Sequence, residues 1–354
     1  MLILRHDDVQ QVLAERELAL IELVGEAYKL HDEGATAVPH SIFLRLPDQP
    51  RNRIIGLPAY VGGNSPAAGM KWIASWPGNI TTGLARASAS IVINDLETGQ
   101  PTALLEGSVI SAKRTAASAA LAARLLVREP GPSGVALIGC GVINLEVLRF
   151  LLAALPTLTE VTLFDNDCTR AAAFARNCAD LSPTLHVTLA ADAGRAVAAH
   201  DLVSIATTAA EPHLDLGPAR PGTLVLHVSL RDLTPETILA SQNVVDDADH
   251  VCRERTSLHL TEQQVGHRDF IDAPIGQILR GTGGFRRDPD RTVVFSPFGL
   301  GALDIALAEF VRAAAVERGL GIRVDDFLPA TGGTAWHREP QVTPPVPSGT
   351  ANPR

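Results

Sequence analysis

The stretch Val135-Ala-Leu-Ile-Gly-Cys-Gly-Val-Ile-Asn144, VALIGCGVIN, decides how this chain is read. An apolar run ends on Gly139-Cys-Gly141, and a helix-forming run follows. In a dinucleotide-binding unit the first glycine makes the tight turn and the second lets backbone amides approach a diphosphate. The third only permits close packing of helix on strand. Gly139 and Gly141 supply the first two functions, and Asn144 stands at the third. The diphosphate would sit on the helix N-terminus, where unpaired amides and the dipole favour negative charge. Alone, GCGVIN fits a purely structural strand-turn-helix about as well. The context adds weight, because VTLFD ends a second strand at Asp165, where an acid receives ribose hydroxyls. Such an acid repels a 2′-phosphate and favours NAD over NADP. Asp165 could also cap the next helix.

Around this stretch strands and helices alternate. Strand 135–139, helix 144–154, strand 161–165 and helix 168–179 come first, followed by strands 185–189, 202–206 and 223–229. The alternation predicts α/β architecture, a Rossmann-like doubly wound parallel sheet over residues 129–300. The breaker EPGPSG at 129–134 opens it. Before it, residues 1–128 combine a helical pattern over 7–34, several strands and an alanine-rich helix over 111–127. They read as an α+β domain for substrate binding and dimerisation. A helix from about 301 to 328 returns to that domain. The tail 331–354, rich in Pro, Thr and Gly, has little to bury and is expected to be disordered. GTGGF at 281–285 lacks a strand-helix context and reads as a surface loop.

The chain's 354 residues suffice for two cores, and 46% hydrophobic with 19% charged residues is the balance of a soluble globular protein. A net charge of −9 argues against a nucleic-acid partner. No apolar run reaches the length of a membrane span, and no secretory signal opens the chain. The four cysteines form no Cys-x-x-Cys pair, which fits free thiols in a cytoplasmic protein. His250-Val-Cys252 lacks further ligands at a useful spacing, so no metal is expected.

Two apolar contexts hold isolated cations. Lys71 lies inside GMKWIASWPGN, where it must reach solvent or meet an anion. Arg114 stands near the start of the small-residue helix SAKRTAASAALAA, where a cation opposes the dipole and calls for a carboxylate partner. Arg45, Arg53 and Arg86 add cations in the same domain. Together they suggest an anionic small-molecule substrate. VLHVSLRD ends a predicted parallel strand, which brings Arg231 and Asp232 to the ligand-binding edge of the sheet. Asp232 could equally cap the helix that begins TPETIL, and His227 reads as a satisfied core residue.

Taken together, GMKWIASWPGN, LEGSVISAKRTAASAALAA, ALIGCGVIN, LFD, SLRDLTPE and FSPFGLGALDIALA resemble the ornithine cyclodeaminase/μ-crystallin family in order and approximate spacing. The resemblance runs from residue 1 to about 325. It implies that Lys71 and Arg114 clamp the substrate α-carboxylate, with Arg45 as a third contact. Asp232 becomes the catalytic acid/base, with Lys71 beside it. Arg86, Arg114, Gly139, Gly141, Val142, Ile143, Asp165, Thr207, Val228, Ser229, Leu230, Pro297 and Phe298 fall where the family contacts NAD. A homodimer built through the first domain is also implied.

The sequence departs from the cyclodeaminases at the acid. They carry Gly-Gly-Asp-Cys-Pro-Gly-Lys, whereas this chain reads Ser229-Leu-Arg-Asp-Leu-Thr-Pro235. Arg231 would repel the terminal ammonium of ornithine and attract a further carboxylate. PHSIFLRLP, KWIASWPGN, EGSVISAKRTAA and SLRD are more similar to the N-(2-amino-2-carboxyethyl)-L-glutamate dehydrogenase branch, which makes 2,3-diaminopropionate. The implied reaction is NAD-dependent oxidative hydrolysis of that tricarboxylate to 2-oxoglutarate and L-2,3-diaminopropionate. Ornithine or lysine cyclodeamination, another amino-acid or imine dehydrogenation, and NAD binding without catalysis are the alternatives.

Overall fold

The computed structural model describes residues 1–329; the tail expected to be disordered lies outside them. In chain order the first half contains β1 (Leu2–Leu4), α1 (His6–Leu13), α2 (Glu17–Asp32), β2 (Thr36–Ala37), β3 (Ile42–Leu46), β4 (Gln49–Val61), β5 (Ala67–Ser75), β6 (Ala87–Asn94), β7 (Pro101–Glu106) and α3 (Ser108–Leu126). The second half contains β8 (Gly134–Ile138), α4 (Val142–Ala154), β9 (Glu160–Phe164), α5 (Cys168–Leu181), β10 (His186–Leu189), α6 (Ala193–Ala199), β11 (Leu202–Ile205) and β12 (Leu224–His227). It continues through α7 (Pro235–Ala240), β13 (Gln242–Val245), α8 (Ala248–Val251), α9 (Ser257–Val265), β14 (Ile271–Pro274), α10 (Ile275–Arg280) and β15 (Val293–Ser296). Then α11 (Gly301–Arg318) and β16 (Ile322–Arg323) return to the first sheet.

The second sheet is parallel throughout, in the order β10-β9-β8-β11-β12-β15-β13-β14. Every residue of β8, β11, β12, β13 and β15 is buried. Strands covered on both faces need continuous apolar runs, which is how VALI and LVLH read. The winding reverses between β8 and β11, so a crevice opens at the carboxyl ends of those two strands.

The first sheet, β16-β1-β7-β6-β5-β4-β2 with β3 paired to β4, is mostly antiparallel, and its two faces differ sharply. Leu57, Lys71, Ile91 and Leu105 stand side by side across β4, β5, β6 and β7, and all four are buried. One residue away, Ile42, Gly56, Trp72 and Ser90 form the neighbouring row on the other face. That face exposes Ile42, Leu44, Met70 and Trp72.

The inner face is covered by α11, which packs on β4 and β5, and by α3. Six alanines of α3, at 116, 117, 119, 120, 122 and 123, are wholly buried, so this helix sits centrally against α2 and α4. Alanine all round lets neighbouring backbones approach closely. The final helix is shorter than the expected span to 328. Gly319, at φ +67°, caps it in the left-handed region, and the chain then pairs with β1 as β16. Among the described residues no helix is long and apolar enough to cross a membrane.

Candidate active site

The crevice begins at Gly139, whose φ is +92°; a Cβ there would lie 2.4 Å from the Ala206 carbonyl oxygen at the end of β11. Only glycine fits both the turn and this close approach. A Cβ on Gly141 would meet nothing within 4 Å, and Val142 beside it is 71% exposed. The helices α5, α6, α7, α8 and α9 each have a side-chain N-cap, whereas α4, like α10 and α11, has none. No side chain therefore occupies its first amides, those of Val142 and Ile143 among them. A glycine turn, an uncapped helix end and an acid after β9 fit a dinucleotide.

Asn144, at the place of the third glycine, has a structural task. Its fully buried amide donates to the carbonyls of Ile138 (3.0 Å) and Gly139 (2.7 Å) and accepts from Ser204 Oγ (2.7 Å). It locks the turn to β11. Asp165 accepts from the amides of Cys140 (2.8 Å) and Asp167 (2.9 Å). It does not cap α5, because Asp167 does so through the amides of Thr169 and Arg170.

Asp232 lies at the floor of the crevice with no exposed surface. It is not a helix cap either, since Thr234 caps α7. Thr207 and Ser229 donate their hydroxyls to its two oxygens. His227 Nε2 lies 3.3 Å from Oδ2, and His213 Nε2, half exposed, lies 3.9 Å from Oδ1. Burial pushes the Asp232 carboxyl up, but His227, Ser229 and Thr207 outweigh it and hold it down at about 2. The structure thus turns Thr207 and Ser229, expected at the cofactor, toward the acid. His227 Nδ1 pairs with Ser296 Oγ at 3.1 Å. This is no nucleophilic serine arrangement, because Ser296 is itself 1% exposed.

Leu230 turns the chain here with φ +71°, and Val228 N–H donates to Ile205 O (2.9 Å). The loop with Pro297 and Phe298 is held by buried Asp246, which accepts from the amides of Phe298 (2.9 Å) and Gly299 (2.7 Å). Gly299 lies against Arg114, and a Cβ on it would come within 2.5 Å of the guanidinium.

On the inner face of the first sheet Lys71 is 1% exposed, and its Nζ donates to Asp304 Oδ2 (2.7 Å) and Ser111 Oγ (3.1 Å). Arg114 Nε donates to the other oxygen of Asp304 at 3.1 Å. Two cations therefore share one carboxylate, leaving one positive charge over. Burial and the Arg114 charge push the Lys71 ammonium down to about 8, against the pull of Asp304.

Four residues along β5 from Lys71, roughly 13 Å by strand rise, a second cationic group begins on the same face. Arg45 opposes Arg53, and Arg53 opposes Ser75. Arg86 donates to Ser75 Oγ at 3.5 Å, while its buried Nε has no partner among the described residues. From the other half, Arg231 donates Nε and Nη2 to the Glu254 carbonyl (3.3 and 2.8 Å), and Arg45 Nη2 meets the Glu254 carboxylate at 2.5 Å. Burial and neighbouring guanidinium charge push Arg53, Arg86 and Arg231 all downward. Among the described residues the one carboxylate bonded to this group is that of Glu254, through Arg45.

Sequence reading missed Asp304, Asp246 and Glu254, while His227, expected as a satisfied core residue, is buried and hydrogen-bonded, with Asp232 among its partners. Asp304 is legible by the same logic as Lys71, being the lone charge in GALDIALA. Asp246 and Glu254 carry no local signal.

The profile of the ornithine cyclodeaminase/mu-crystallin family matches residues 2–319. The chain is 28% identical to N-((2S)-2-amino-2-carboxyethyl)-L-glutamate dehydrogenase of Staphylococcus aureus, over 91% of this chain and 97% of that one. It is 26% identical to alanine dehydrogenase of Archaeoglobus fulgidus, over 92% and 98%. Among solved structures it is similar to Δ1-pyrroline-2-carboxylate reductase of Thermococcus litoralis in complex with NADH and L-proline. The TM-score is 0.85 at 27% identity, covering 92% of this chain and all of that one.

Proposed function

Because the chain belongs to the ornithine cyclodeaminase/mu-crystallin family, we propose that it is an NAD-dependent oxidoreductase of amino-acid C–N bonds. Its substrate in this reading is N-(2-amino-2-carboxyethyl)-L-glutamate, and its products are 2-oxoglutarate and L-2,3-diaminopropionate. The observation that carries this choice is the pair of cationic groups on one sheet face. Lys71 and Arg114, with their uncompensated charge, suit one α-carboxylate. The Arg45, Arg53, Arg86 and Arg231 group suits further carboxylates, which guanidinium holds through paired hydrogen bonds. The terminal ammonium of ornithine would meet repulsion there.

Gly139, Gly141, Val142 and Ile143 would hold the diphosphate, and Asp165 the ribose hydroxyls. When bound, NAD⁺ supplies the hydride acceptor. Asp232 takes the proton of the secondary amine, returns it to the imine nitrogen, and as a carboxylate again accepts a proton from the water that adds to the imine carbon. That proton then goes to the amine nitrogen as the C–N bond breaks and 2,3-diaminopropionate leaves. Thr207, Ser229 and His227 keep its carboxylate aimed. Lys71 and Arg114 orient the α-carbon by its carboxylate, and orientation is a large part of the barrier reduction.

The exposed apolar face with Ile42, Leu44, Met70 and Trp72 supports a homodimer formed through the first sheet. Incubation with NAD⁺ and the conjugate tests the substrate reading. NADH should form with both products, identified by mass, and ornithine should yield negligible proline. Proline from ornithine with no NADH from the conjugate would return the protein to the cyclodeaminases.

A further inference from the structure

Glu254 sits in the loop between α8 and α9, and it and Arg255 have φ values of +54° and +56°. Two successive side-chain-bearing residues in the left-handed region are uncommon, and such conformations persist where surrounding contacts hold them. Arg255 is held by His259 Nδ1, which accepts its amide, and by the Glu211 carboxylate, and Glu254 is held by the arginine group. Its carbonyl accepts from Nε and Nη2 of Arg231, and its carboxylate reaches across the cleft to Arg45 on β3. The nucleotide half thereby sends a carboxylate into the cationic group of the other half. Arg53 and the Arg86 Nε next to it remain without an acceptor among the described residues.

We propose that Glu254 is a built-in stand-in for the substrate's distal carboxylate, holding Arg45 until that carboxylate arrives and displaces it. This rests on the polycarboxylate reading above. The two carboxylates have the same chemistry toward a guanidinium, so exchange replaces one paired bond by another. The pair is also exchangeable by position, since the Arg45 side chain is 57% exposed and solvent weakens an ion pair there. The tie to Arg231 runs through the main chain, so the side chain can swing away while the loop stays in place. A substrate with one carboxylate spends it on Lys71 and Arg114 and has nothing left to displace Glu254. Glu254 therefore selects for a second acidic group.

Calorimetric titration of glutarate into the NAD⁺-saturated full chain tests this without requiring turnover. Glutarate should bind E254Q about tenfold more tightly than the parent protein, a difference of about 1.4 kcal/mol. The gain should vanish in the double variant R45A/E254Q, and acetate should not discriminate between the proteins. Equal or weaker binding to E254Q would show that Glu254 positions Arg45 or attracts substrate, and would overturn the proposal. So would a gain that survives loss of Arg45, or no glutarate binding in any variant. Failure of the conjugate to yield NADH would strike the substrate reading alone, because glutarate binding is read independently.

Discussion

His227 Nε2 lies 3.3 Å from Asp232 Oδ2, and neither side chain has any surface in contact with solvent. With water excluded, the charge on the acid is governed by its few neighbours, and the imidazole is the strongest of them.

His227→Asn should therefore raise the Asp232 carboxyl from about 2 toward the usual carboxylate value. The acidic limb of the pH profile of kcat/KM should move up by about one unit or more. A folded-state value below the unfolded one means stability that is present above about pH 4 and lost as pH falls through about 2, on the order of 2 kcal/mol. The variant should lose part of that contribution in urea unfolding at neutral pH. An acidic limb that stays where it was would reduce His227 to packing.

Asp304→Asn leaves Lys71 and Arg114 buried without their shared carboxylate. Breaking a buried pair in this way costs roughly 3–5 kcal/mol, measurable as a fall in the urea midpoint at unchanged slope. In the intact protein Lys71 is charged below about pH 8 and loses its proton above it. The Michaelis constant of the amino-acid substrate should therefore rise above about pH 8, while NAD⁺ affinity stays level. A Michaelis constant flat to pH 10 would remove Lys71 from the substrate clamp.

Asn144→Gly would complete the three-glycine pattern, yet it should weaken the protein. It strips the buried Ser204 hydroxyl and the Gly139 carbonyl of the Asn144 amide and leaves the Ile138 carbonyl with the Ala206 amide alone. A loss of roughly 1–3 kcal/mol is expected, along with weaker NAD⁺ binding as the turn loosens. Unchanged stability would mean that water replaces the amide without cost.

NAD⁺ should bind in preference to NADP⁺, with the preference set by Asp165. Asp165→Ala should narrow it, and calorimetry with both dinucleotides reads the change. It should also cost some stability, because the Cys140 amide loses its acceptor. Equal binding of the two dinucleotides by the parent protein would contradict this reading of VTLFD.

What could be read in the sequence was local. The turn at Gly139, the strand-helix alternation and the lone charge at Lys71 declare themselves within a few residues of their own positions. Their partners do not. Asp304 lies 233 positions from Lys71, and Glu254 lies 209 from Arg45. Asn144 looked like a missing glycine because its reason is Ser204, on a strand 60 positions later. Asp232 and Asp165 both read as possible helix caps, since an acid before a helix carries that meaning by itself. Only the neighbouring caps, Thr234 and Asp167, release them for other work.

The order in which the ribosome delivers these parts has a consequence. The strands β1 to β7 emerge first, and with them Lys71, but its carboxylate arrives on α11 after the entire parallel sheet has been made. Until then the inner face of the first sheet has α3 but lacks α11, and β1 has β7 but lacks β16. A lysine enclosed there early would be an uncompensated buried charge, which disfavours premature closure. The parallel sheet has all its strands before that helix emerges. The half of the molecule that is made first is the half that is finished last.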